Sequence, residues 1–132
     1  MSGGGSQYLE VTIVSGEALD QMPSGSFIVE VSVDKAISKS PVKTGKSDGA
    51  ELKWEHTGEL KCSSVPPDLK ATVKLQKSGI KNTDVAEGTM DLSQLAGGAL
   101  KVEEAVMLQS SEDQSDMLRV EIAVAWKEGY GP

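Results

Sequence analysis

Glu51-Leu52-Lys53-Trp54-Glu55-His56-Thr57-Gly58-Glu59-Leu60-Lys61-Cys62 alternates with a period of two. Leu52, Trp54, His56, Gly58, Leu60 and Cys62 fall on one face, and Glu51, Lys53, Glu55, Thr57, Glu59 and Lys61 on the other. A period of two is the pattern of a half-buried strand, because successive side chains leave opposite faces of the pleat. An indole at Trp54 on the inward face would bury on the order of 200 Å², enough to anchor a small all-β core.

The same alternation recurs on both sides of this strand. Upstream, Tyr8 to Ser15 points Leu9, Val11 and Ile13 inward, and Phe27 to Val33 points Phe27, Val29, Val31 and Val33 inward. Between them, Gly16 to Ser26 carries Pro23 and Gly25 and reads as a long loop. A short strand around Val42 to Lys46 follows Pro41, and Asp48-Gly49 turns into the Trp54 strand. Downstream, Pro66-Pro67 breaks the pattern before Leu69 to Leu75, and Gln76 to Val85 reads as a second long loop. Glu87 to Leu92 continues through Gly88, Met90 and Leu92, and a short helical turn at Ser93 to Leu95 closes at Gly97-Gly98. Ala99 to Gln109 is ambiguous: its composition allows a helix, but the arrangement needs only one short strand there, near Ala105 to Leu108. Met117 to Trp126 is the last strand, with Leu118, Val120, Ile122, Val124 and Trp126 inward. About eight strands at short spacing, with no βαβ alternation, predict an all-β, eight-stranded antiparallel β-sandwich. Residues 1–7, rich in glycine, are set aside as a flexible leader, residues 8–128 form the domain, and 129–132 are a flexible tail.

Composition excludes several functions. A chain of 132 residues is long enough to bury a core without staples. Its single cysteine rules out an internal disulfide and points to a cytoplasmic setting. No basic and apolar leader is present, no run approaches ~18 apolar residues, and Ser2 stands where N-myristoylation needs glycine. The net charge of −7 argues against general nucleic-acid binding, and the five aromatics offer no stacking platform. Charge is uneven, however. Between Lys35 and Lys81 ten lysines face five acids, a balance of +5, so against the net −7 the flanks together carry −12. Lysines along strands also blunt edge pairing, so this excess is either a solvated surface or a local basic face on an acidic body.

Catalysis finds little support. His56 and Cys62 lie six residues apart on one strand, which places their α-carbons ~20 Å apart and rules out a dyad. One His and one inward Cys do not make a zinc site. Glu103-Glu104 and Glu112-Asp113 have no companion base, and neither GxxxxGK[ST] nor GxGxxG is present. No enzyme, no cofactor and no small-molecule substrate is expected.

From Tyr8 to Trp126 the chain resembles a C2 domain. Leu9-Glu10-Val11-Thr12-Ile13-Val14-Ser15-Gly16-Glu17-Ala18-Leu19 is similar to that family's opening strand and exit, and Ser26-Phe27-Ile28-Val29-Glu30-Val31 lies where it usually has Asp-Pro-Tyr-Val-x-Val. Lys43-Thr44 resembles the Lys-Thr before the Trp-containing strand. Glu87-Gly88 and Asp91-Leu92-Ser93-Gln94-Leu95 resemble the Ile-Gly strand and its Leu-x-x-Leu turn. The resemblance implies the permutation with an extra C-terminal strand, the type II topology. It also implies a comparison with the calcium loops, where calcium needs 6 to 8 oxygens, several of them charged. Asp20 and Asp84 stand at two vestigial positions, but Ser26 replaces another, and Gln76-Lys77-Ser78-Gly79-Ile80-Lys81 replaces the Asp-x-Asp segment. Calcium independence, with no metal bound, is therefore expected. What remains is recruitment to an anionic membrane surface or to an acidic protein partner. The candidate residues are Lys77, Ile80, Lys81 and Met22 on tip loops, with Leu19 and Pro23 beside Met22, or Lys43, Lys46, Lys53 and Lys61 on a strand face interleaved with Glu51, Glu55 and Glu59. The location expected is cytoplasmic, with peripheral membrane association. A protein-interaction or structural module that binds no lipid is the alternative.

Overall fold

The computed structural model describes residues 7–19 and 21–127. It contains β1 (Gln7–Ala18), β2 (Ser26–Ser32), β3 (Val42–Lys43), β4 (Ser47–Asp48), β5 (Lys53–Cys62), β6 (Lys70–Lys77), β7 (Thr83–Asp91), α1 (Ser93–Ala96), β8 (Lys101–Ser110) and β9 (Asp116–Trp126). Every strand pairing among the described residues is antiparallel, in the order β3-β2-β6-β7-β8-β9-β1-β5, with β4 also on β2. Only two pairs of described residues join β7 to β8, Ala86 with Ser110 and Glu87 with Gln109. The ladder folds over at that seam, and β5 returns to touch β3 and β4, so the sandwich nearly closes. The C-terminal strand β9 lies between β8 and β1, the place required by the type II permutation.

The inward residues of the alternating stretches fill the space between the layers. Leu9, Val11, Ile13, Phe27, Val29, Val31, Ala71, Val73, Leu75, Leu118, Val120 and Val124 are all fully buried. At about 25 cal/mol per Å² of apolar surface removed from water, this single cluster is the dominant stabilising term.

Four expectations are corrected. Trp54 is only half-buried, because the register slips between Ile13 and Ser15, and β5 bulges there with Glu55 at φ 47°. Its indole packs at the margin of the core and its Nε1–H donates to the Phe27 carbonyl at 3.0 Å. The strand expected over Val42 to Lys46 is instead two short pieces, β3 and β4, which both pair with β2. Ala99 to Gln109 contributes a ten-residue strand rather than a short one, since pairing with β9 lets Val102, Val106 and Leu108 bury despite helix-favouring neighbours. Finally, Gln7 belongs to β1, opposite Cys62, and not to the leader. Residues 1–6 and 128–132, including the tail, lie outside the described residues.

Candidate functional site

Four connections gather at one end of the sandwich, here the tip. The pairs Ser26 with Asp48, Phe27 with Lys77 and Ala18 with Leu118 align the ends of β4, β6 and β1 there. Backbone hydrogen bonds tie the connections together: the Gly49 amide to the Gly25 carbonyl at 3.0 Å, the Ser78 amide to the Ser26 carbonyl at 2.9 Å, and the Leu19 amide to the Met117 carbonyl at 2.9 Å. An open depression of about 790 Å³ lies between the β1–β2 and β4–β5 connections, lined among others by Met22, Pro23, Gly25, Asp48 and Gly49.

Among the described residues, the β6–β7 loop carries the most exposed large apolar side chain. Ile80 is 112% exposed, so no neighbour covers it. Lys77 and Lys81 flank it, both exposed and neither within ion-pair distance of a carboxylate among the described residues. The Lys77 side chain runs beside Gly25, whose φ of +130° is one that L residues rarely adopt; a Cβ there would sit 3.0 Å from Lys77 Cε. Met22 is partly buried and packs on the core, whereas Leu19 and Pro23 are exposed.

The carboxylates near this loop are already engaged. Asp84 accepts from Gln76 Nε2 at 2.9 Å and lies 3.7 Å from Lys74 Nζ. Asp48 accepts from the Ala50 amide at 2.8 Å in a local turn. Among the described residues no group of three or more His, Cys, Asp or Glu side chains is placed to hold a metal ion. Asp20 lies outside the described residues.

The strand-face lysines do not form one patch. Lys43 is paired with Glu30 at 3.3 Å and Lys53 with Glu55 at 3.5 Å. Lys46 is exposed between β3 and β4, and Lys61 stands eight residues along β5 from Lys53, towards the opposite end. His56 is half-buried and Cys62 buried on the same strand, and burial pushes the Cys62 thiol up. That keeps the thiol protonated and a poor nucleophile.

No protein-family model and no curated protein matches the chain. Solved structures do. One, described as a C2 domain-containing protein from a putative elicitor-responsive gene, shares 19% identity over 98% of this chain and 93% of its own, with a TM-score of 0.69. The fold is that of a C2 domain. A second neighbour, a C2 domain of plant extended synaptotagmin 1, shares 13% identity over 92% of this chain and 94% of its own, also at a TM-score of 0.69. The C2-like domain accounts for nearly every described residue, and no helix among them is long and apolar enough to cross a membrane.

Sequence reasoning missed Lys35 and Lys39. In the fold they stand with Lys61 around a depression at the end opposite the tip. The sequence shows a Ser- and Lys-rich loop there, but not which strand end meets it.

Proposed function

We propose that this C2-like domain is a calcium-independent recruitment module that docks peripherally, by its tip, on the anionic cytoplasmic face of a membrane. The observation that carries the reading is Ile80, fully in solvent between two lysines with no carboxylate partner among the described residues. Sinking Ile80 into the interface gives about 1.5–3 kcal/mol, and each lysine near an anionic surface adds ~1 kcal/mol. The total, about 4 kcal/mol, corresponds to a dissociation constant of about 1 mM, so docking is weak and reversible. Leu19 and Pro23 extend the contact from the neighbouring loop, and Met22 supports that loop from below. Lys46 can add long-range attraction, whereas Lys43 and Lys53 are partly neutralised by Glu30 and Glu55. Calcium has no part in this reading, since Asp84 and Asp48 already spend oxygens on Gln76, Lys74 and a backbone amide.

The test is co-sedimentation with phosphatidylcholine, phosphatidylserine and phosphoinositide vesicles, with calcium or with chelator, at two salt concentrations. Binding to anionic vesicles alone, unchanged by chelator and weakened by salt, is the expected result, and Lys77→Glu with Lys81→Glu should remove it. Calcium-dependent binding contradicts the reading. Absence of binding under every condition transfers the tip to the role of a protein-interaction surface.

A further inference from the structure

The β2–β3 connection, 33–41, has a fixed half and a projecting half. The first is a folded turn: the Ile37 and Ser38 amides donate to the Asp34 carbonyl at 2.8 and 3.0 Å, and the Asp34 carboxylate accepts from the Ala36 amide at 2.9 Å. Ile37 packs on the core and Ser38 is buried. Ser63, just past β5, fastens the turn, its amide donating to the Ile37 carbonyl at 2.8 Å. The second half is Lys39-Ser40-Pro41, three exposed residues in succession between buried Ser38 and buried Val42. The Ser40 hydroxyl makes no hydrogen bond to any described residue. After it comes β3, two residues long, at the edge of the sheet and paired with β2 alone among the described strands.

Exposure alone does not single out a serine, but the residues after this one do. Ser40-Pro41 is the one Ser-Pro or Thr-Pro pair in the 132 residues, and Lys43 follows three positions after the serine. A catalytic cleft that offers no acceptor to the residue after its serine selects proline, which has no N–H; any other residue there leaves a buried donor unpaired. Proline also disfavours helical backbone at the residue before it, so Ser40 is held towards the extended shape that such a cleft grips. Lys43 offers a positive charge to an acidic cleft rim, and its pair with Glu30 at 3.3 Å is a surface contact of little worth. Lifting β3 from the sheet edge to present it disturbs two register positions, Val42 on Val31 and Lys43 on Glu30.

We propose that Ser40 is a phosphorylation site for a proline-directed protein kinase, and that its phosphate turns the basic end of the domain away from the tip nearly neutral. In the transfer, Ser40 Oγ attacks the γ-phosphorus of a nucleoside triphosphate and forms a new O–P bond. The bond from that phosphorus to the bridging oxygen breaks, nucleoside diphosphate leaves with the electron pair, and the hydroxyl proton passes to a carboxylate of the kinase. The phosphoserine carries about −1.5 to −2 at neutral pH. Ser40 lines a depression of about 370 Å³ together with Lys35, Lys39 and Lys61, none of them within ion-pair distance of a carboxylate among the described residues. Glu59 lines it too, but is paired with Lys127. Ammonium groups this near favour the phosphate dianion, so its second ionisation falls below the usual value of about 6. The tip is remote: β5, ten residues long, separates the two ends by ~30 Å. Screening acts over ~8 Å at physiological salt, so the modification leaves the tip unaffected and the inference stands independently of the tip reading.

Incubation of the full chain with a purified proline-directed kinase, ATP and Mg²⁺, followed by mass spectrometry of the intact protein and its peptides, tests the site. The expected result is a single phosphate, located on Ser40. It should be absent in Ser40→Ala, incorporated at least tenfold more slowly in Pro41→Ala, and severalfold more slowly in Lys43→Gln. All three positions are exposed, so unchanged thermal unfolding confirms that the variants fold. Phosphorus NMR of the product against pH then reads the charge around it. The second ionisation should lie below about 6 and return towards that value in the Lys35→Gln, Lys39→Gln, Lys61→Gln variant. Equal incorporation into Ser40→Ala overturns the assignment. So does absence of phosphate on the folded chain, whether or not the kinase modifies a peptide of residues 33–47. A phosphate that titrates in the protein as it does in that peptide overturns the neutralisation.

Discussion

The two ends of this sandwich are built from the same residue types and present them in opposite shapes. At the tip, Lys77 and Lys81 bracket Ile80 on a loop joined to its surroundings mainly by the Ser78–Ser26 bond, so charge and an apolar side chain project outward together. At the far end, Lys35, Lys39 and Lys61 surround a hollow whose wall is held by Asp34 and Ser63. A projecting loop suits a broad, deformable surface, because its apolar side chain gains only on entering another medium. A braced hollow is held in one shape by the hydrogen bonds of its own turn. The difference teaches that a count of lysines says little until the wall behind them is known.

The comparison can be broken most severely through the core that both ends share. Phe27 is fully buried beneath the tip, and its backbone carbonyl holds the Trp54 indole. Phe27→Ala should cost ~3–5 kcal/mol in urea unfolding, and vesicle binding at the tip should fall with it. Loss confined to the tip, at unchanged stability, would mean that the ends are not one cooperative unit. Within the wild type, Cys62 offers a check on the same point. Its burial and raised thiol should make it unreactive to thiol reagents until the tryptophan fluorescence transition, and labelling well before that midpoint would show the far end opening alone.

A tip-specific change is smaller. Gly25→Ala places a side chain at φ +130° and 3.0 Å from Lys77 Cε. It should cost ~1–3 kcal/mol and weaken vesicle binding; vesicle binding at the wild-type level would separate the Gly25 turn from the docking surface. The smallest effects are expected from two exposed carboxylates. Asp113 lies in the turn between β8 and β9 at the tip, and hydrogen bonds from the Ser115 hydroxyl and then its amide hold its carboxyl below the usual range. Asp91, at the other end, is lowered by the Ser93 amide and then the Ser93 hydroxyl. A depressed folded-state value means that each stabilises above the unfolded pKa, about 3.9, and that the contribution disappears as pH falls through the folded value. Asp91→Asn and Asp113→Asn should therefore lower Tm slightly at pH 7 and not at all at pH 2, and a deficit persisting at pH 2 would contradict the hydrogen-bond account.

The strands are legible in the sequence because each inward set is a run of alternating apolar residues; Leu9, Val11 and Ile13 are buried as their spacing requires. The final strand, read from Met117 to Trp126, and the turn closed by Gly97-Gly98 are equally visible. Local pattern fails where partners decide. Glu103-Glu104-Ala105 favours a helix, yet register with β9 makes it strand. Trp54 carries an inward signal, but the bulge at Glu55 leaves it at the margin. At the sites, Lys77, Ile80 and Lys81 are close in sequence and can be read together. Lys61 and Lys35 are far apart in sequence, and only the Ser63 bonds to the 33–41 turn bring them together.

The most direct test places an environment-sensitive fluorophore at each end. Buried Cys62 leaves Ile80→Cys as the single accessible thiol, with Lys39→Cys as its counterpart at the far end. On phosphatidylserine vesicles in chelator, the account predicts a blue shift and quenching by brominated lipid at position 80, and neither at position 39. A shift at position 39, or vesicle binding that leaves position 80 in water, would contradict docking by the tip.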